Sequence, residues 1–238
     1  MICRAARHLV RAALIPVVRL PISQLTPATM PTHLLINEAG VPQGAGAHTS
    51  FGGLPSVPAG FAWPVCRECA GHMQFLGQLR TNHPSSPRDK LLLLFKCDND
   101  PGCCDEWEAD SGGNAVVAVP ADAGLSLAAP PPGGAAVRAT HHGARIDTLD
   151  GDYDEAREAW DSEGRRGRDI LGQLGGQPSW VQGEEVPQCN ECGRDMAFVA
   201  QLEEGPDHAT SMNFCGGGCA YVFDCGCSPA SAKMVIQA

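Results

Sequence analysis

The chain has 238 residues, 43% of them apolar, and a formal net charge of −10, so it can bury a real core as one large domain or two small ones. The acidic balance argues against free nucleic acid as a direct partner, because phosphate binding needs a basic face. Gly at 28 and Pro at 19 predict many turns and short strands, and no apolar run is long enough to span a membrane as a helix.

Residues 1–37 carry Arg4, Arg7, Arg11 and Arg19 and no Asp or Glu. Arg11 and Pro16 interrupt the apolar stretch Leu9 to Leu20, so it does not read as a secretory signal. Residues 1–30 are expected to be a poorly ordered transit-like or upstream extension, with Met30 as the working start. Thr32 to Glu38 (THLLINE) predicts a strand, and Val41 to His48 a Gly-rich loop. The turn Gly52-Gly53-x-Pro55 follows, with glycines for φ > 0 or close approach. Phe61, Trp63 and Pro64 lead into Cys66-x-x-Cys69, and Met73 to Leu79 predicts a strand. Asp89 to Lys96 (DKLLLLFK) reads as a strand buried on both faces, ending at Cys97. Cys103 and Cys104 lie in an acidic loop, and Ala115 to Val119 is another short strand.

Ala128 to Gly134 (AAPPPGG) is linker-like in composition. The expected division is therefore a first half over 31–127, a linker over 128–150 and a second half over 151–238. Asp152 to Arg166 predicts the best helix, acidic at its start and basic at its end, with Tyr153, Ala156 and Trp160 at helical spacing. Met196 to Leu202, Ala220 to Asp224 and Lys233 to Gln237 predict the later strands.

The organising feature is a repeat. Gly52 to Leu79 and Gly175 to Leu202 align without a gap at a shift of 123 and are identical at 13 of 28 positions. Unrelated stretches would match at roughly two, from ordinary residue frequencies. The identities include both Cys-x-x-Cys pairs (Cys66/Cys189, Cys69/Cys192), Met73/Met196, Phe75/Phe198 and Gln78/Gln201. Trp180 stands where the first copy has Val57. Each pair is followed, 28 or 33 positions later, by a Cys that ends an apolar strand, Cys97 or Cys225. This pattern predicts two structural Zn²⁺ sites, because a Cys-x-x-Cys turn presents two thiolates to one tetrahedral ion. The expected ligands are Cys66, Cys69, Cys97 and Cys103 (or Cys104) in the first half, and Cys189, Cys192, Cys225 and Cys227 in the second, with Cys215 and Cys219 as substitutes.

No His has metal-ligand spacing to either set: His72 reads as a surface residue, and His141-His142 as a solvated loop. The competing readings are buried free thiols and a thiol-dependent enzyme using a Cys-x-x-Cys pair. GxSxG, Walker A, GxGxxG and HExxH motifs are absent from the sequence. Gln78, Gln201 and Trp180 are candidate binding residues, although the glutamines fit the tying-off of buried backbone groups better.

The stretch FGGLPSVPAGFAWPVCRECAGHMQFLGQL with CDEWEADSGGNAVV, and GGQPSWVQGEEVPQCNECGRDMAFVAQL with CGGGCAYVFDC, resemble the YwqG family of bacterial proteins over about residues 45 to 238. The pattern GG-x-P…C-x-x-C…M-x-F-x-x-Q-L is also similar to the programmed cell death protein 2 family. That second resemblance implies a chaperone for a ribosomal protein, with Cys66, Cys69, Cys189 and Cys192 as the family's Cys pairs. Cys215 departs from the Gly expected in an NFGGGG-like stretch. The fold expected is α+β and β-rich: two tandem-duplicated halves of mainly antiparallel sheet packed face to face, with few helices and zinc-ribbon-like Cys knuckles. The function expected is a non-catalytic, cytoplasmic, zinc-stabilised protein-binding module for a basic client.

Overall fold

A computed structural model describes residues 31–81, 89–133, 138–207, 211–228 and 230–238. The basic N-terminal stretch lies outside them. Among the described residues there is one α-helix and twelve strands, ten of which form a single sheet.

The ten strands are β1 (Thr32–Glu38), β2 (Ser50–Phe51), β4 (Gln74–Arg80), β5 (Lys90–Lys96), β6 (Asn114–Pro120), β8 (His142–Leu149), β9 (Ile170–Leu174), β10 (Ala197–Glu203), β11 (Cys219–Asp224) and β12 (Ala232–Gln237). Their spatial order is β12-β11-β10-β9-β1-β8-β2-β4-β5-β6, antiparallel throughout. Two short strands, β3 (Ser56–Pro58) and β7 (Leu125–Leu127), pair separately.

The sheet curls until it is nearly closed. One apolar cluster takes buried side chains from all along it, including Leu35, Phe51, Leu76, Leu92, Leu94, Leu171, Leu202, Val222 and Ile236. Across the gap the Ile236 amide donates to the Trp107 carbonyl at 2.9 Å. Fully buried β5 follows from its composition: alternate leucines face the interior, and Leu91, Leu93 and Phe95 pack into a second cluster on the outside. The outer face of β11 and β12 carries its own cluster around Tyr221, Phe223 and Val235.

Helix α1 (Tyr153–Ser162) covers a third outer patch, laying Tyr153, Ala156 and Trp160 on Leu34, Ile36 and Ile170. A capping box starts it: the Glu155 amide donates to Asp152 Oδ1 at 3.0 Å and the Asp152 amide to Glu155 Oε2 at 3.1 Å. It stops at Ser162, short of the predicted Arg166, and its last turn holds no basic residue. Gly164, at φ +73°, turns the chain away in the left-handed region that glycine permits. Arg165 is thereby free to fold back onto the Trp160 ring, 3.7 Å from its centroid.

Three sequence expectations are revised. Strand β8 occupies residues 142–149, inside the stretch read as a linker, and it pairs with β1 over residues 143–149. Its sequence, HGARIDTL, lacks a clean apolar alternation and owes its strand state to the edge it completes. The 31–127 and 151–238 segments form one continuous sheet, joined edge to edge through β1 and β9 because a free strand edge leaves unpaired N–H and C=O groups, and its curl lets their inner faces share one apolar cluster. His142 is not solvated: it is 5% exposed and stacked on Phe51 at 5.8 Å.

Candidate metal centres

Each Cys-x-x-Cys turn is built by the same hydrogen bonds. In the first, the Cys66 amide donates to Gly71 O (2.9 Å), the Ala70 amide to Cys66 O (3.0 Å) and the Met73 amide to Pro64 O (3.0 Å). In the second, 123 residues on, Cys189 donates to Arg194 O (2.9 Å), Gly193 to Cys189 O (2.8 Å) and Met196 to Pro187 O (3.0 Å). The bridges Val65–His72 and Gln188–Asp195 close both turns. The correspondence continues into the strands: β4 bulges between Phe75 and Gly77, and β10 between Phe198 and Ala200.

These turns bring four sulfurs together twice. Cys66, Cys69, Cys97 and Cys104 form one group and Cys189, Cys192, Cys225 and Cys227 the other, with the Sγ atoms in each within 4.8 Å of one another. The closest separations are 3.6 Å for Cys69–Cys97 and for Cys192–Cys225, 3.4 Å for Cys189–Cys227 and 3.3 Å for Cys225–Cys227. Ligands on a tetrahedral Zn²⁺ at about 2.3 Å would stand about 3.8 Å apart, so the donor set and its spacing fit such an ion. Each group could hold a metal ion; its identity is not fixed by the geometry alone.

The fourth sulfur of the first group is that of Cys104, not Cys103. A turn closed by the Cys103 amide on Asp100 O (3.0 Å) leaves Cys103 exposed and sends Cys104 inward. The neighbouring Asp100 and Glu68 charges raise the Cys103 thiol above its ordinary range. Cys215 and Cys219 join neither group: Cys219 is buried at the start of β11, and Cys215 sits exposed at φ +65°. The glycine loop beside them is not an empty anion cradle, because Glu204 Oε1 accepts from the Phe214 (2.7 Å) and Gly216 (2.6 Å) amides.

Local donors bias individual sulfurs toward thiolate. The Gly71 amide (3.4 Å) chiefly brings Cys69 down to about 7. The Cys192 and Glu191 amides, with Ser231, bring Cys189 down to about 6. Arg194 Nε lies 3.5 Å from Cys192 Sγ and lowers that thiol. Burial pushes Cys97 and Cys104 up, and proximity to Cys225 and Cys189 pushes Cys227 up to about 12. Four thiols crowded together cannot all ionise unless a cation joins them, which is the behaviour of a metal-binding set. Asn99 adds a side-chain donor to Cys69 (3.6 Å) and Cys97 (3.4 Å). Neither Asn99 nor Arg194 carries a sequence signal; only the folded turns bring them to sulfur.

The proposed binding residues are spent internally. Gln78 is 1% exposed and Gln201 2%. Gln78 Oε1 accepts from the Ser56 amide at 3.0 Å, and its Nε2 donates to His48 O at 2.9 Å. Gln201 Oε1 accepts from the equivalent Ser179 amide at 2.8 Å. They tie the Gly-Gly-x-Pro turns to the sheet and leave no amide for a groove. Trp180 packs on Tyr221 at 4.4 Å and on Phe223 at 6.1 Å, roofing the outer cluster of β11 and β12.

Comparison with protein-family models and with curated proteins returned no match. Among the described residues, no helix is long and apolar enough to cross a membrane.

Proposed function

We propose that this chain is a non-catalytic protein-binding module, stabilised by two structural Zn²⁺ ions, that receives a basic client as a chaperone or adaptor. The observation that carries the metal half of the reading is the pair of four-sulfur groups with tetrahedral-compatible spacing. All-cysteine sets without an open position suit structure better than catalysis. The two groups and their turns are read as copies of one duplicated, zinc-ribbon-like knuckle unit. The recurrence of the turn bonds and bulges at the 123-residue offset supports this. The likeness to the YwqG and programmed cell death protein 2 families belongs to the same reading, resting on the motifs quoted above. A cytoplasmic setting is consistent with it, because a reducing compartment keeps thiols available for metal.

The client half rests on charge. The net charge is −10, and Asp100 and Glu108 stand exposed on the loop beside the first sulfur group. A basic protein bound there would be released steeply as salt rises. Metal analysis of freshly purified protein is expected to give two Zn²⁺ per chain, and immobilised protein is expected to retain basic proteins at low salt only. Zinc-free protein, or retention indifferent to salt, would count against the two halves respectively.

A second reading, a thiol-dependent enzyme using a Cys-x-x-Cys pair, draws on the exposure of one thiol in each pair, Cys69 and Cys192. Alkylation separates the two. Metal-held cysteines react only after a chelator is added, whereas a redox pair reacts at once and cycles with dithiol.

A further inference from the structure

The two sulfur groups lie in different runs of the sheet, yet one residue touches both of their turns. Arg67 stands between Cys66 and Cys69, and Asn190 holds the equivalent place between Cys189 and Cys192. Arg67 Nη1 donates to the Asp110 carbonyl at 3.0 Å, and the Arg67 amide to Gly112 O at 3.0 Å. Asn190 Nδ2 donates to Asp110 Oδ1 at 3.1 Å. Lys233 Nζ completes the bridge: it donates to Asp110 Oδ2 (2.7 Å), Asn190 Oδ1 (2.9 Å) and Gln188 O (2.7 Å).

Asp110 belongs to the β5–β6 connection, which also supplies Cys104 to the first sulfur group. The connection is pinned at its other points by Glu68 Oε2, which accepts from the Asp105 amide at 3.0 Å, and by Trp107 O, which accepts from Ile236 at 2.9 Å. Closing Cys104 onto Cys66, Cys69 and Cys97 therefore fixes the segment that presents Asp110 to Asn190. Fixing Asn190 in turn preorganises the turn that carries Cys189 and Cys192. The relation is reciprocal, since a coupling free energy acts equally in both directions.

We propose that Asp110 is a positioning residue shared by the two centres, and that through it occupancy of either centre raises the metal affinity of the other. This inference rests on the metal reading of the sulfur groups, and its test separates the two. The full chain is stripped of metal and titrated with Co²⁺ against a competing chelator, reading the thiolate–cobalt absorption. Cys192→Ala with Cys227→Ala removes the two exposed sulfurs of the second group and leaves its buried pair in place. With Asp110 present, this loss is expected to weaken Co²⁺ binding at the first group about fivefold, the low end of ordinary coupling. In an Asp110→Ala background the same loss is expected to leave the first group unchanged. Asn190→Ala combined with Lys233→Met, which removes both side-chain links to Asp110 from the other side, should reproduce that result if Asp110→Ala folds poorly. Equal weakening with and without the bridge, or no weakening at all, overturns the coupling while leaving the metal reading intact. Absence of thiolate–cobalt absorption in the parent chain overturns both.

Discussion

Lys90 and Asp224 are 134 positions apart in sequence, and their side chains meet at 2.6 Å. Each side chain is 4% exposed, so the pair closes the curled sheet from within, joining β5 to the end of β11. Lys90 Nζ also donates to Ser228 O at 3.3 Å. Removing one partner leaves a buried charge uncompensated, at a cost of about 3–5 kcal/mol, whereas replacing both by apolar groups is often neutral or better. Lys90→Met or Asp224→Leu alone should therefore lower the urea midpoint strongly, and the double change should restore most of it. A double variant as unstable as the sum of the singles would show no coupling between the two charges and would overturn this account.

The choice between adjacent cysteines is testable directly. Cys104→Ser should cost the chain one metal equivalent and lower its thermal midpoint, because it removes the inward sulfur. Cys103→Ser should leave both metal content and midpoint unchanged, since that thiol is exposed and outside the group. Atomic emission on the two purified variants decides the matter.

The two Cys-x-x-Cys turns differ at one strained position. Ala70 adopts φ +56°, and its counterpart Gly193 adopts φ +67°. A non-glycine residue in this region costs roughly 1–2 kcal/mol, partly offset by the greater freedom that glycine loses on folding. Ala70→Gly is expected to stabilise the protein by about 0.5–1 kcal/mol, and Gly193→Ala to destabilise it, both read from urea unfolding of the metal-loaded protein.

Acid should act on the bridge between the two Cys-x-x-Cys turns in a defined window. Partial burial pushes the Asp110 carboxyl upward, but hydrogen bonds from Lys233 and Asn190 outweigh this and hold it below the usual carboxylate range. A depressed folded value means that the group's stabilisation is complete above its unfolded value, about 3.9. It is lost as the pH falls through the folded value. Stability differences between the parent chain and Asp110→Asn should accordingly be flat from pH 7 to about 5 and shrink below about pH 4. Unfolding free energies measured across that range check it.

Local order was readable without coordinates wherever one segment supplied its own signal. THLLINE and KLLLLFK carry enough β-branched or apolar side chains to be strands in any half-buried setting, and Tyr153, Ala156 and Trp160 at helical spacing mark the helix. The recurrence at a shift of 123 likewise marked both turn-forming Cys-x-x-Cys pairs and the buried glutamines beneath them. Beyond these, single segments say little. Strand β8 is polar and irregular, and β2 has two residues; each exists because neighbouring edges need partners.

The sequence by itself determined the apolar strands β1 and β5, both Cys-x-x-Cys turns and seven of the eight clustered sulfurs, because those depend on contacts within a few positions or on a repeated spacing. Tertiary structure alone decided that the 31–127 and 151–238 segments share one curled sheet, that Cys104 faces inward, and that Asp110 reaches both Cys-x-x-Cys turns. Those outcomes depend on strand edges and side-chain directions meeting across more than a hundred positions, and no local periodicity encodes such a meeting.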